Sequence, residues 1–124
     1  MAAPGDEFTL PRTETILRNR TVLAAMTNKQ SNPDGTLSDA EINWLLRRAE
    51  GGFGIITTAA SHVTPGGQGW VGEMGVWGDH QIPGLTRLAQ GISEHGALSL
   101  AQIFHGGMRA PEDLTGEQPV SASE

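Results

Sequence analysis

Apolar positions along the chain fall into short runs and stripes that alternate between two periods. "NRTVLAAM", residues 19–26, is a β-branched and aliphatic run with polar neighbours on both sides, the pattern of a strand buried on both faces. "FGIITTAA", 53–60, and "ALSLAQIF", 97–104, repeat it as a second and a third strand. Between the first two lies a helical stripe, in which Ile42, Leu45, Leu46 and Ala49 stand at i, i+3, i+4 and i+7 while Arg47, Arg48 and Glu50 take other faces. Ser38 and Glu41 have capping-box spacing at its start, each side chain serving an orphan amide of the first turn, and Gly51 supplies the left-handed stop. A second helix is predicted after Asp79, with Ile82, Leu85, Leu88, Ala89 and Ile92 on one stripe, Pro83 in the first turn and Gly96 as the stop.

The segments between these runs are rich in turn formers. Residues 27–37 contain Asn-Pro and Asp-Gly and read as a loop, and "SHVTPGGQGWVGEMGVWGD" is a long glycine-rich loop of the kind that is more often functional than idle. Residues 1–18 are polar and proline-bearing, a surface lead-in segment with a short hairpin around Phe8 to Leu10, and residues 19–124 carry the domain proper. Strand, helix, strand, helix, strand with right-handed crossovers makes an α/β chain with parallel strands. Spacings of about 33 and then about 44 residues between strands suit a (β/α)8 barrel or a doubly wound sheet. In either architecture ligands gather at the carboxyl ends of the strands, here Met26-Thr27, Ala59-Ala60-Ser61 and Gln102 to His105.

Composition removes several classes of function. A net charge of -6 with no basic cluster argues against nucleic acid or an anionic membrane as partner. The absence of cysteine removes disulfides, thiolate zinc sites and a cysteine nucleophile together. "MAAPGDEFTLPRTE" has acids and prolines where a signal peptide needs a basic end and an apolar core, and no run approaches the about 18 apolar residues of a membrane span. The expectation is a soluble, cytoplasmic protein.

Each candidate site residue has a functional and a structural reading. Gln102 ends a run read as buried, so its amide has to find partners. It offers an acceptor and donors to a heterocycle edge displaying C=O and N–H side by side, or equally to neighbouring backbone. Thr27 is a ligand-facing hydroxyl or a turn residue. Ala24, Ala25, Ala59 and Ala60 would let a flat ligand lie close to the backbone, or suit tight packing of helices on the sheet. His105, before a glycine pair, orients a ligand or joins a structural network. His62 and His105 could meet at the strand ends, but two ligands do not define a metal site. "GGFG" and "PGGQG" do not open into helices as phosphate loops must, and no serine occupies a Gly-x-Ser-x-Gly elbow.

Taken in order, "NRTVLAAMTN", "SNPDGTLSDAEINWLLRRAEGGFGIITTAASHVTPGGQGW", "GVWGDHQIPGLTRLAQGISEHGA" and "LAQIFHGGMRA" resemble the amino-terminal part of the Old Yellow Enzyme family of FMN-dependent NAD(P)H:flavin oxidoreductases. The resemblance implies the first three βα units of a (β/α)8 TIM barrel, incomplete in this chain, with FMN at the carboxyl-terminal mouth. It implies hydride transfer from NADH or NADPH through flavin to an electron-poor alkene. By the same resemblance Ala24, Ala25, Met26 and Thr27 line the flavin, Thr27 tunes its potential from the O4 region, Ala60 meets the isoalloxazine, and Gln102 binds the pyrimidine edge. Phe104 and His105 fall at the lining of the active site. The chain departs from the family pattern at Ala25, where proline is common, and at Met108, where arginine is common.

Family members are several times longer, and their paired substrate anchors, proton-donating tyrosine and phosphate cradle lie further along. This sequence has no tyrosine. The resemblance therefore implies a chain that needs a complementary carboxyl-terminal barrel portion, in one polypeptide or as a split barrel, and that is inactive alone. Open strand edges invite self-association as an oligomer or pairing with such a partner. The alternatives are a noncatalytic α/β interaction module, and an unrelated barrel segment using His62 and His105 for a metal.

Overall fold

The alternation of strand and helix is present in the computed structural model, which describes residues 1–123. In chain order the elements are β1 (Phe8–Thr9), β2 (Ile16–Leu17), β3 (Val22–Leu23), α1 (Asp39–Glu50), β4 (Ile55–His62), β5 (Met74–Gly75), α2 (Ile82–Glu94), β6 (Leu98–Phe104) and α3 (Glu112–Thr115). Tight 3-10 turns occupy Pro65–Gly67, Asp79–Gln81 and Gly107–Arg109. β1 and β2 form the lead-in hairpin, antiparallel with Phe8 opposite Leu17.

β4 is the spine of the parallel sheet. β3 pairs with its beginning, Val22 with Ile55 and Leu23 with Ile56, and β6 runs along its other edge from Leu98 opposite Ile55 to Phe104 opposite His62. β5 joins where β3 has stopped, Ser61 opposite Met74. Both helices pack on one face. Leu23 and Ile56 of the sheet share a buried cluster with Ile42, Leu45 and Ala49 of α1 and Leu88 and Ile92 of α2, each fully buried aliphatic side chain contributing about 1.5–3 kcal/mol. Val22, Ile55 and Leu98, one residue earlier in register, therefore project from the opposite, uncovered face.

Several expectations are corrected. The first strand is two residues long, not 19–26, and it is not buried on both faces, because the uncovered face leaves Val22 51% exposed. The second and third strands begin two and one residues later than their apolar runs, at Ile55 and Leu98. The long loop of residues 61–79 contains β5, which exists by pairing with β4. On α2, Leu88 and Ile92 are buried, whereas Ile82 is exposed at the first turn and Ala89 borders an open apolar cleft with Leu85, Ser99 and Ala101.

The helix ends also differ in detail. Ser38 Oγ accepts from Glu41 N at 3.1 Å, but the Glu41 carboxylate does not return to the Ser38 amide. It turns into the protein instead, accepting from Asn28 Nδ2 at 2.9 Å and from Ser31 Oγ. Gly51 remains right-handed, and Gly52 takes the left-handed conformation at φ +107°, where a side chain would be strained. Gly96 ends α2 at φ +72°, as expected.

One side chain ties the lead-in segment to both helices. The Arg18 guanidinium donates to Ala49 O at 2.6 Å and His95 O at 2.6 Å, at the carboxyl ends of α1 and α2, and to Phe53 O at 2.7 Å in the link from α1 to β4. Cation and helix dipole reinforce one another there. Arg18→Ala is expected to lower unfolding free energy by about 2–3 kcal/mol, since charge-assisted bonds to three carbonyls are lost. Arg18→Lys should restore less than half, because an ammonium cannot span three carbonyls as a planar fork does. Urea denaturation of the three proteins measures both, and an alanine variant as stable as the parent would refute the clamp.

Candidate functional site

The carboxyl ends of the parallel strands bring together most of the residues singled out in the sequence. Ala60 and Gln102 are register partners across β4 and β6, so their side chains leave the sheet on the same side. That pairing depends on a β-bulge. Thr57 lies opposite Leu100 and Ala60 opposite Gln102, so three steps along β4 match two along β6. Alternation from Leu98 through Leu100 puts Gln102 on the uncovered face, and the bulge brings Ala60 there with it. Continuing from Val22, the same alternation puts Ala24 on that face.

Gln102 is exposed, correcting the expectation of a buried strand end, because it projects from the face that the helices leave uncovered and, among the described residues, β6 has a partner on one edge. Among the described residues its carboxamide has no hydrogen-bond partner, so the neighbouring backbone does not consume its acceptor and donors. Across the ladder from it Ala60 projects no further than Cβ, and Ala24, beyond β4 and just past the end of β3, is equally small and is exposed. The arrangement is a flat, small-residue surface with one free amide at its edge, suited to a planar group carrying adjacent carbonyl and N–H.

Met26 and Thr27 follow β3 beyond its ladder, and both are exposed. The Thr27 hydroxyl likewise has no partner among the described residues. The next residue is fixed, since Asn28 Nδ2 reaches the fully buried Glu41 while its Oδ1 accepts from Gln30 N at 3.0 Å. The rest of the loop is bound to β5 and its approach, with Ser31 N donating to Gly72 O at 3.1 Å and Gly75 N to Gly35 O at 2.9 Å. Gln81, also buried, donates to Asp34 O at 3.3 Å and accepts from Trp77 N at 2.9 Å. Two loops thus form one layer over the strand ends.

His62 ends β4 under that layer, with its Nδ1 3.7 Å from Glu73 Oε2. Both side chains are buried, and neither His62 Nδ1 nor Glu73 Oε1 has a hydrogen-bond partner. Burial raises the Glu73 carboxyl to about 7 against the opposing pull of the Gly69 and Trp70 amides, and burial lowers His62 against an opposing contribution from the Met74 backbone. The pair leans toward two neutral groups, and its separation is too long for a hydrogen bond. Glu73 Oε2 accepts from Gly69 N at 2.6 Å, next to Trp70, whose ring lies 5.4 Å from that of Phe104.

His105 is not drawn toward His62. It is exposed, and its Nδ1 accepts from Gly107 N at 2.9 Å, a local turn bond that supplies its structural reading. Ala25 is half-buried, two residues past the end of β3. Arg18, Thr58 and Glu73 were missed in the sequence. Only Glu73 carried a signal, an acid inside a glycine-rich apolar stretch.

Comparison with known proteins gives a consistent set of relatives. The model of the NADH:flavin oxidoreductase / NADH oxidase family matches residues 10–124. A probable NADH-dependent flavin oxidoreductase of Bacillus subtilis is 40% identical over 115 residues, 93% of this chain and 30% of that protein. An NADH:acrylate oxidoreductase of Vibrio harveyi is 39% identical over 108 residues, 86% of this chain and 11% of that protein. Among solved structures, the old yellow enzyme homologue from Zymomonas mobilis superposes with a TM-score of 0.89 at 26% identity, covering 98% of this chain and 33% of that one. The chain spans a third or less of these relatives.

The buried acid gives stability a recognisable pH dependence. Glu73 titrates at about 7 when folded against an ordinary value of 4.5, so between these the folded state holds an extra proton. Its contribution is present at low pH and is lost as pH rises through about 7. His62 works oppositely, its contribution being lost as pH falls below its ordinary 6.5. The stability of the parent relative to Glu73→Gln should therefore be greater at pH 5 than at pH 8, measured by chemical denaturation at both. An equal difference at the two values would show that Glu73 ionises normally.

Proposed function

Because the chain belongs to the NADH:flavin oxidoreductase / NADH oxidase family, we propose that it supplies the first three βα units of an FMN-dependent oxidoreductase barrel. NADH or NADPH is the reductant in this reading, and an electron-poor alkene the substrate. The acrylate reductase among the relatives supports the latter. The observation that carries the reading is the pairing of Ala60 with Gln102 on the uncovered face, the carboxamide free of protein partners.

The residues present fit a flavin ring. Ala24, Ala25, Met26 and Ala60 would lie along it, and Gln102 would present donor and acceptor to its pyrimidine edge. Thr27 would donate a hydrogen bond to the ring carbonyl region. Phe104, propped by Trp70, would wall the site beside His105. When bound, FMN would supply hydride chemistry between nicotinamide and alkene. The protein's part is orientation and electrostatics. Glu41 holds Asn28 and so steadies the backbone that presents Thr27.

The sheet edges support a further part of the proposal. β3 and β6 each pair with β4 on one edge only among the described residues, leaving ladder groups available for the remaining units of the barrel. Further βα units are thus the chain's first partner in this reading.

Two substitutions test the site in the assembled barrel. Gln102→Leu keeps volume and removes both donor and acceptor, and is expected to weaken FMN affinity by about 1–3 kcal/mol, read by fluorescence quenching. Unchanged affinity would leave Gln102 outside the site. Thr27→Ala is expected to lower the flavin midpoint potential by about 10–30 mV, since a hydrogen bond worth about 0.5–1.5 kcal/mol favours the reduced form. A redox titration decides this, and an unmoved potential would make Thr27 a loop residue.

A further inference from the structure

The bulge in β4 has its own hydrogen-bonding device. An extra residue in one strand leaves backbone groups without ladder partners, and here these groups meet a side chain. Thr58 Oγ1 accepts from Gln102 N at 3.2 Å and donates to Ala59 O at 2.8 Å. Ser61 Oγ donates to the same carbonyl at 3.0 Å and lies 3.3 Å from Thr58 Oγ1. Thr58 and Ser61 are 4% and 0% exposed, so water does not take over these roles.

We propose that Thr58 is a positioning residue for the cofactor site, its hydroxyl fixing the bulge that places Ala60, rather than Ala59, beside Gln102. The argument is one of register. Without the extra residue, alternation from Ile55 and Thr57 would carry Ala59 to the uncovered face and turn Ala60 toward the helices. A hydroxyl at Thr58 makes the bulged register favourable, because it takes the Gln102 amide proton and gives its own to the Ala59 carbonyl. One side chain thus serves both strands that carry the proposed flavin contacts. Valine has nearly the same shape and offers neither bond. Serine offers both.

The value of this placement rests on the flavin reading above, but the bulge does not. Amide hydrogen exchange in the assembled barrel without cofactor reads the register, and FMN titration of the same barrel reads its consequence. Thr58→Val is expected to speed exchange of the Gln102 amide at least about tenfold more than that of Leu98 and Leu100 amides in the same strand, and to weaken FMN binding by about 5- to 100-fold. Thr58→Ser should return both toward the parent. General destabilisation would instead accelerate all three amides alike, and that result would overturn the proposal. Parental FMN affinity in Thr58→Val would overturn it equally. A parent barrel that takes up no FMN would overturn the flavin reading, with the exchange ratio still deciding whether Thr58 sets the register.

Discussion

One extra residue in β4 decides which side chains the sheet offers on its uncovered face. Strands alternate strictly, so a register is a choice between two complete sets of side chains. Up to Thr57 that side of the sheet carries Ile55 and Thr57, and beyond the bulge it carries Ala60 and then His62, the last buried beneath the loop layer. β4 pairs with every other strand of the parallel sheet, so its local geometry passes to its neighbours. The amide of Gln102, the small side chain of Ala60 and the nearby end of β3 form one surface because the hydroxyls of Thr58 and Ser61 take up backbone groups that the ladder leaves at that residue.

The rest of the structure holds that surface in place from outside. Arg18 gathers the carboxyl ends of α1 and α2 at one end of the sheet. At the other end Glu41 and Glu73, both buried, gather the loops. Glu41 accepts from side chains of the loop after β3, and Glu73 accepts from the backbone of the loop before β5. Backbone bonds between the two loops then make one layer. Such acceptors suit a site that must stay open to ligand, since they fix loops from behind and leave Thr27 and Gln102 exposed.

The order of strands and helices was legible because the two periods differ and the turn formers separate them. Ser38, Pro83 and Gly96 do locally what their chemistry dictates, so their positions could be read without tertiary information. The strand lengths could not. "NRTVLAAM" is apolar well beyond Val22–Leu23 because its residues serve a surface as well as a ladder, and composition does not separate those uses. The bulge was invisible for a related reason, since "IITTAASH" is apolar or small up to its final histidine and gives no alternation in which an extra residue would show. β5 owes its strand geometry to β4, and Glu41 met capping-box spacing while its carboxylate served a loop instead. The family resemblance named Ala60 and Gln102, but only the register shows them side by side.

The central claim is that FMN lies on the uncovered face, along the ends of the first three parallel strands. Mapping amide chemical shifts of the labelled chain in the assembled barrel, with and without FMN, addresses it directly. The account predicts that the largest changes cluster at Ala24 to Thr27, Ala60 and Gln102, with Leu45, Leu88 and Ile92 on the helix-covered face undisturbed. Changes centred on the helix-covered face, or spread evenly over both, would contradict it.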